Sequence, residues 1–280
     1  MTGDLMTTSN NLNGKTICIT GASSGIGQAI AQHLGSSGAH VFMMGRNRPP
    51  MDESADLIRS AGGSADVATF DVADLEALSS WVASAASSTG RLDVMVNNAG
   101  FGDVGATIAD GDPAMWKAML ETNVLALAVG CQAAIKAMRS TSSQGNIINI
   151  SSVAALQRES GVYGATKHAV NCINSSLRKE LQDEPIRVTS VMPGVFATNF
   201  TRNVDKAMVE GIAAMAGITE LQFDDDSRLP QHQIDQIQQA LAIGIGDVTH
   251  IAKAVEYIVL QPSELNIEEI VIRPQKSLLS

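Results

Sequence analysis

The sequence predicts an α/β protein with a doubly wound parallel β-sheet that is covered by helices on both faces. Apolar runs and helical patterns alternate at intervals of roughly 25 to 40 residues, as in a sheet built from βαβ units. The runs are nearly continuous rather than alternating, which is typical of strands buried on both faces. The most unusual residue clusters follow these runs directly, and in such sheets ligands bind beyond the carboxyl ends of the strands.

The first half of the chain supplies four strand candidates with helical patterns between them. The first helical pattern runs through Ile30 and Leu34 to a break at Gly35, and the other two lie around Leu57 and Leu78. The apolar runs cover residues 15–20, 40–44, 66–70 and 92–100, and they lead into TGASSGIG (20–27), Gly45-Arg46, Asp71-Val72 and Asn97 to Gly100. We therefore expect all four clusters to lie at one edge of the sheet.

The second half begins with a long helical segment, Pro113 to Met138, that is apolar nearly all the way round. Such a helix must be buried on every side, either in the core or against a second copy of the chain. Three further strands are predicted at residues 147–150, 187–192 and 267–274. The first leads into Ser151-Ser152 and a helix that carries Tyr163, and the second leads into Pro193-Gly194.

Composition limits the class of protein. A chain of 280 residues with 45% hydrophobic residues can bury a full core as one domain, and no apolar run reaches the ~18 residues of a membrane span. Residues 1–13 have neither a basic region nor an apolar stretch, which predicts a flexible polar tail rather than a secretory signal. A net charge of -10 disfavours nucleic acid and membrane surfaces as partners.

The cysteines and histidines point to a cytoplasmic protein without a metal. The three cysteines are scattered through apolar segments, as expected of reduced core thiols. The five histidines lack the spacing of metal ligands, and no cysteine cluster accompanies them.

The run TGASSGIG places three glycines where a strand turns into a helix. Small residues there let the backbone approach a pyrophosphate, and the N–H groups at the start of the helix favour an anion. The alternative is a glycine-rich turn that serves only the chain reversal. Because strand and helix patterns flank the run in the required order, nucleotide binding is the better interpretation.

Arg46 follows the second strand, where an acidic residue would bind the ribose of NAD and an arginine can bind the 2′-phosphate of NADP. No acidic residue lies between Ala39 and Pro50, but two basic residues, Arg46 and Arg48, do. The sequence therefore favours NADP(H) over NAD(H). The alternatives are a solvated Arg46 and a site that accepts either cofactor.

Tyr163 and Lys167 are four residues apart at the start of a helical pattern, so both lie on one face. The ammonium of Lys167 is then expected to lower the pKa of the Tyr163 phenol below its ordinary value of ~10. Such a phenol could exchange a proton with an alcohol or a carbonyl near neutral pH. Tyrosine and lysine also occur at this spacing by chance, so the pair gains its meaning from the neighbouring motifs.

Together the motifs resemble those of the classical short-chain dehydrogenases/reductases. The matching features occur in the family's order from residue 15 to residue 198: TGASSGIG, Asp71-Val72, Asn97 to Gly100, Asn123, Ser152, Tyr163 with Lys167, and Pro193-Gly194 with Thr198. The resemblance implies a Rossmann-like three-layer α/β/α sandwich at residues 14–280, usually assembled as a homotetramer or homodimer. It also implies an NAD(P)(H)-dependent oxidoreductase that interconverts a ketone or aldehyde and an alcohol.

The resemblance further implies a role for each matching residue. Tyr163 would be the general acid/base, Lys167 would lower its pKa, Ser152 would orient the substrate oxygen and Asn123 would hold a water near Lys167. The expected cofactor contacts are Gly21, Ser23, Ser24, Ile26, Arg46, Asp71, Val72, Asn98, Ala99, Gly100, Tyr163, Lys167, Pro193, Gly194, Phe196 and Thr198.

Substrate recognition is expected in a lid-like insertion at about residues 198–246, which contains Asp224 to Asp226 and a glutamine-rich stretch. Phe196, Phe200, Met208 and Met215 could form an apolar pocket there for part of a small carbonyl or alcohol substrate, although such residues are more often core. Two rival functions remain: a reductase of 3-oxoacyl thioesters on an acyl carrier, and a non-catalytic dinucleotide sensor.

Overall fold

A computed structural model describes residues 12–103, 106–198, 206–218, 220–223 and 229–276. The described residues form seven strands at nearly the predicted positions. They are β1 (Thr16–Thr20), β2 (His40–Gly45), β3 (Ser64–Thr69), β4 (Val94–Asn97), β5 (Gly145–Ile150), β6 (Ile186–Pro193) and β7 (Glu269–Ile272).

Helices connect the strands and cover both faces of the sheet. They are α1 (Gly25–Ser36), α2 (Pro49–Ser60), α3 (Leu75–Thr89), α4 (Pro113–Leu120), α5 (Leu127–Ser140), α6 (Gly161–Glu180), α7 (Lys206–Met215), α8 (Gln231–Ala240) and α9 (Thr249–Val259). A π-helical turn (Glu121–Ala126) joins α4 to α5, and a short 3₁₀ turn (Val153–Leu156) follows β5.

The sheet has the strand order β3-β2-β1-β4-β5-β6-β7, and every neighbouring pair is parallel. This confirms the predicted doubly wound, Rossmann-like sheet. Because all strands run in one direction, their carboxyl ends share one edge. The glycine run, Arg46, Asp71, Ser152 and Gly194 each follow a strand at that edge.

Two large hydrophobic clusters, one on each face, form the core of the sheet. Leu12 belongs to one of them and is fully buried, although it lies in the range predicted to be a flexible tail; residues 1–11 lie outside the described range. Cys18 and Cys131 are buried as predicted, and burial raises the pKa of both thiols. Cys172 is exposed on α6, so the prediction of a core thiol was wrong there, because that position faces away from the sheet.

The apolar helix predicted from Pro113 to Met138 is interrupted by the π turn and is not buried on every side. Leu120 and Leu125 remain 49% and 48% exposed, whereas Met119 and Leu127 are buried. By length and composition the 28 residues from Pro113 to Ser140 could cross a membrane, since an 18-residue window within them has a mean hydropathy of 1.5. Core helices of soluble proteins meet the same criteria, so this observation is weak.

The insertion after residue 198 builds a small cluster of its own beside the main core. Val209 and Ala213 of α7 pack with Ile234 and Ile237 of α8. Met215 is 62% exposed and therefore does not contribute to an apolar pocket; Phe200, the side chain of Met208 and the stretch from Asp224 to Asp226 lie outside the described residues.

Two glycines in helices, Gly130 and Gly211, give a matched test of how tightly the core of the sheet is packed. A Cβ on Gly130 of α5 would lie 2.2 Å from Oδ1 of Asn97, a buried side chain whose Nδ2 donates to Oδ1 of Asn149 at 2.8 Å. Because this side chain is held in place, we expect Gly130→Ala to lower the free energy of unfolding by about 1 to 3 kcal/mol.

The control is Gly211→Ala in α7, where no described atom lies within 4 Å of the new Cβ. Alanine there should leave stability unchanged or raise it by up to about 1 kcal/mol. Urea unfolding of both variants checks the pair, and equal stabilities would contradict the packing described for Gly130.

Candidate active site

A single cavity of about 740 Å³ runs along the carboxyl edge of the sheet. Its wall includes every residue expected to contact the cofactor, from Gly21 after β1 to Thr198 after β6, together with Ser152. The structure therefore brings all of these predicted residues to one site. Asn123 is the predicted site residue that lies outside the wall, since its side chain is buried behind it.

The glycine turn after β1 is built for close approach of a ligand to the backbone. Gly21 and Gly25 adopt φ values of +67° and +57°, which favour glycine. A Cβ on Gly27 would lie 2.4 Å from the carbonyl oxygen of Gly21, so only glycine fits where α1 crosses the turn. Ser24 is the N-cap of α1 but makes no side-chain capping bond, so the first N–H groups of the helix are left available for an anion.

Thr20 and Asn98 hold this turn against the end of β4. The Thr20 hydroxyl accepts hydrogen bonds from the backbone N–H groups of Asn98 and Ala99, both at 3.0 Å. In return Nδ2 of Asn98 donates to the carbonyl oxygens of Thr20 and Gly21 at 2.9 and 3.2 Å. Thr20 was not among the predicted site residues, although a hydroxyl residue directly before a glycine run was a signal for this role.

Arg46 and Asp71 face each other at the ends of β2 and β3. Nη1 of Arg46 lies 3.7 Å from a carboxylate oxygen of Asp71, and both side chains are more than half exposed. An exposed pair at this distance contributes little to stability. Arg46 can therefore exchange this contact for an incoming phosphate at small cost.

Ser152, Tyr163 and Lys167 meet at the end of β5. The Ser152 hydroxyl accepts a hydrogen bond from the N–H of Ala154 at 3.1 Å, which fixes it at the start of the 3₁₀ turn, and it is hydrogen-bonded to the Tyr163 phenol. Nζ of Lys167 donates to the carbonyl oxygen of Ile150 at 2.9 Å and lies 5.9 Å from the centre of the Tyr163 ring. The predicted pairing of Tyr163 and Lys167 on one helix face is present.

The pKa of Tyr163 moves in the direction opposite to the sequence prediction. Burial raises it to about 12, and the hydrogen bond with Ser152 only partly offsets this effect. Burial also lowers the pKa of Lys167 to about 8. The predicted pKa took account of the charge of Lys167 but not of desolvation, which depends on the folded structure and disfavours both charged forms. The phenol is therefore protonated at neutral pH.

Asn123 sits in the π turn and links three elements behind the cavity. Its Oδ1 accepts from the N–H of Phe101 at 3.1 Å, and its Nδ2 donates to the carbonyl oxygen of Phe101 at 2.8 Å and to Oγ1 of Thr166 at 3.1 Å. Thr166 precedes Lys167 in α6, so Asn123 supports the wall from which Lys167 projects. Its expected role in holding a water remains a prediction.

The sequence and the fold were compared with protein families, with curated proteins and with solved structures. A family model described as short chain dehydrogenase matches residues 15–209. An uncharacterized oxidoreductase from Staphylococcus epidermidis is 32% identical over 262 residues, which cover 93% of this chain and 97% of that protein.

Two solved structures are similar throughout. A short chain dehydrogenase from Burkholderia cenocepacia in complex with NADP is 27% identical with a TM-score of 0.74, covering 94% of this chain and 98% of that one. A metagenomic short-chain oxidoreductase in complex with NADP is 28% identical with a TM-score of 0.70, covering 94% of this chain and 98% of that one.

Fold, site and comparisons together define a nucleotide-binding oxidoreductase. The chain belongs to the short-chain dehydrogenase family, as the motifs indicated. It is accordingly an enzyme that acts on CH–OH groups of small molecules, in a family whose members typically form oligomers.

The buried ammonium of Lys167 is expected to lower the stability of the protein, and this cost can be measured. Its pKa of about 8 means that the fold disfavours the ammonium, so Lys167→Met should raise the free energy of unfolding at pH 7 by about 1 to 3 kcal/mol. The destabilising effect is complete below pH 8 and fades as the pH rises toward the ordinary value of 10.5. The advantage of the variant should therefore shrink between pH 8 and 10.5.

Urea unfolding at several pH values measures this difference. Lys253→Met on α9 is the control, because Lys253 is exposed and should show neither effect. A Lys167→Met protein that is less stable than the parent at pH 7 would contradict the burial cost assigned to Lys167.

Proposed function

We propose that this enzyme is an NADP(H)-preferring carbonyl reductase and secondary-alcohol dehydrogenase with Tyr163 as its general acid/base. The observation that carries the proposal is the hydrogen-bonded pair of Ser152 and Tyr163 at the end of β5, in a cavity that continues to the glycine turn. Two hydroxyl groups directed at one cavity can bind one carbonyl oxygen. A dinucleotide sensor would have no use for them.

The residues of the cavity fit a nicotinamide dinucleotide. The turn from Gly21 to Gly25 and the uncapped start of α1 suit a pyrophosphate, and Arg46 and Asp71 lie at the end suited to an adenosine. Pro193 to Thr198 would contact the nicotinamide. When bound, the nicotinamide supplies or accepts the hydride.

The side chains of the protein handle the proton and the orientation of the substrate. In reduction, the Ser152 hydroxyl holds the carbonyl oxygen and Tyr163 donates its proton to it. The raised pKa of Tyr163 keeps that proton in place until the substrate oxygen gains negative charge. The Lys167 ammonium, fixed by the carbonyl of Ile150, then stabilises the phenolate that remains. Oxidation of an alcohol runs the same steps in reverse.

Arg46 supports the preference for NADP(H). It follows β2 at the cavity wall, where a 2′-phosphate would add two negative charges within reach of the guanidinium. The solved structures of the two relatives described above contain NADP, which is consistent with this choice. Once Arg46 binds the 2′-phosphate, Asp71, which contacts Arg46 in this structure, would be able to bind the adenosine instead.

Two exposed leucines bear on the assembly of the enzyme. The exposed Leu120 and Leu125 lie on one helical segment and would be covered in a homodimer or homotetramer. We propose a cytoplasmic enzyme of one domain, residues 14–280, in which the segment of about 198–246 acts as a lid over the substrate.

Tyr163→Phe tests the catalytic assignment. The variant keeps the ring but loses the proton, so turnover of a ketone should fall by about 10²- to 10⁴-fold while NADPH affinity stays nearly unchanged. NADPH oxidation measured across a panel of ketones, with fluorescence titration of NADPH, reports both quantities.

The control is Tyr257→Phe, which changes an exposed tyrosine on α9 and should leave turnover intact. Substantial ketone reduction by Tyr163→Phe would refute the assignment of the general acid.

Arg46→Asp tests the cofactor preference. A carboxylate at this position repels the 2′-phosphate and can bind a ribose instead, so the ratio of kcat/KM for NADPH to that for NADH should fall by about 10- to 100-fold. Parallel assays with NADPH and NADH measure the ratio. Arg48→Asp, two residues away and outside the cavity wall, introduces the same charge change as a control. An unchanged ratio in Arg46→Asp would count against its role.

A further inference from the structure

The β7 side of the cavity carries two cations that the proposed chemistry does not use. Arg273 follows β7 directly and Lys276 comes three residues later, and both line the same cavity as Tyr163. The stem of Arg273 lies beside the end of β6, since a Cβ on Gly194 would be 3.3 Å from its Cγ. The backbone N–H of Lys276 donates to the carbonyl oxygen of Ile243 at 2.9 Å, which anchors the chain here.

The sheet register gives the spacing between the strand that leads to these cations and the strand that leads to Ser152. Ile150 of β5 pairs with Val191 of β6, and Pro193 of β6 pairs with Ile272 of β7. The residues that follow the three strands therefore lie side by side. Neighbouring strands are about 4.8 Å apart, so β7 lies about 10 Å from β5, the strand that leads to Ser152.

The residues proposed to bind the adenosine and the pyrophosphate lie on the other side of β5, whereas Pro193 to Thr198, proposed to contact the nicotinamide, follow β6. The strand order places β1, β2 and β3, and with them the glycine turn, Arg46 and Asp71, away from β6 and β7. The two cations are thus available to a substrate rather than to the phosphates of the cofactor.

The acidic and basic residues of the cavity wall follow different strands. Arg46 lies 3.7 Å from Asp71, whereas none of the ion pairs among the described residues includes Arg273 or Lys276. Asp103 and Glu159, the acidic residues at the substrate end of the wall, come from the loops after β4 and before α6 rather than from the end of β7. In a protein with a net charge of -10, two cations at the end of β7 would make this part of the wall the more favourable one for a small anion.

The wall next to the cations is apolar. Val195 and Phe196, which follow β6, and Ile212 of α7 all line the cavity. An apolar surface beside two cations, with hydroxyl groups about two strands away, suits a molecule with one charged end and an apolar middle.

We propose that the substrate is an oxoacid, whose carboxylate binds Arg273 and Lys276 while an apolar spacer brings its carbonyl to Ser152 and Tyr163. This inference rests on the proposed function. The hydride and the proton of Tyr163 add across the C=O bond to give a hydroxyacid, and the carboxylate is not altered. Arg273 and Lys276 therefore determine specificity and take no part in the chemistry.

The test compares three methyl-ketone acids of increasing length, 4-oxopentanoate, 6-oxoheptanoate and 8-oxononanoate, with their methyl esters. For each pair, NADPH oxidation gives kcat/KM, and saturation-transfer NMR gives binding to the NADPH-loaded enzyme. We expect the acid to be preferred over its ester for the spacer that matches the separation of β5 and β7. The preference should weaken at high salt, which screens exposed charges.

Arg273→Gln and Lys276→Gln should each lower the acid-to-ester ratio of kcat/KM by about threefold, and the double variant should lower it by about tenfold, the size expected of exposed charge pairs. Lys253→Gln on α9 removes the same charge outside the cavity and should leave the ratio unchanged.

The outcomes separate this inference from the proposed function. Equal turnover of acids and esters, unaffected by the substitutions, would overturn the oxoacid assignment and leave the reductase intact. Binding of an acid that is lost in the double variant, without turnover of any probe, would support the anion site and refute the reductase. Absence of binding by all three acids would also overturn the anion site.

Discussion

The hydrogen bond from Nζ of Lys167 to the carbonyl oxygen of Ile150 is the contact on which the geometry of the site depends. Ile150 is the last residue of β5, so this bond fixes α6 to the carboxyl edge of the sheet. Tyr163 lies one helical turn before Lys167 and is therefore delivered to Ser152, two residues after Ile150. Asn123 braces the arrangement from behind through Thr166.

Burial gives these groups their chemical character. The same desolvation that keeps the Tyr163 phenol protonated makes the Lys167 ammonium costly to hold. The fold tolerates that cost because the two large hydrophobic clusters stabilise the sheet independently of the site. A charged lysine beside a neutral phenol is unfavourable for the resting protein but favourable once the phenol has given up its proton. This is the usual conflict between stability and function at an active site.

Sequence patterns were sufficient to predict the sheet and the contents of its carboxyl edge, because both follow from local order along the chain. Apolar runs identify strands, and parallel strands bring the residues that follow them to one edge. What the sequence could not predict depends on tertiary environment. The pKa of Tyr163 depends on its burial, the exposure of Cys172 depends on which face of α6 meets the sheet, and the contact between Arg46 and Asp71 depends on the neighbouring ends of β2 and β3.

Burial keeps Tyr163 a neutral proton donor despite the nearby ammonium, and NMR of the Tyr163 protonation state tests whether this is so. The chain contains two tyrosines, Tyr163 and Tyr257, so labelling the ring carbon that bears the hydroxyl with ¹³C gives two resonances, which Tyr257→Phe assigns. With a pKa of about 12, the Tyr163 resonance should keep the chemical shift of a neutral phenol from pH 6 to pH 10. A change to the shift of a phenolate below pH 9 would show that the charge of Lys167 outweighs burial, and would contradict this account.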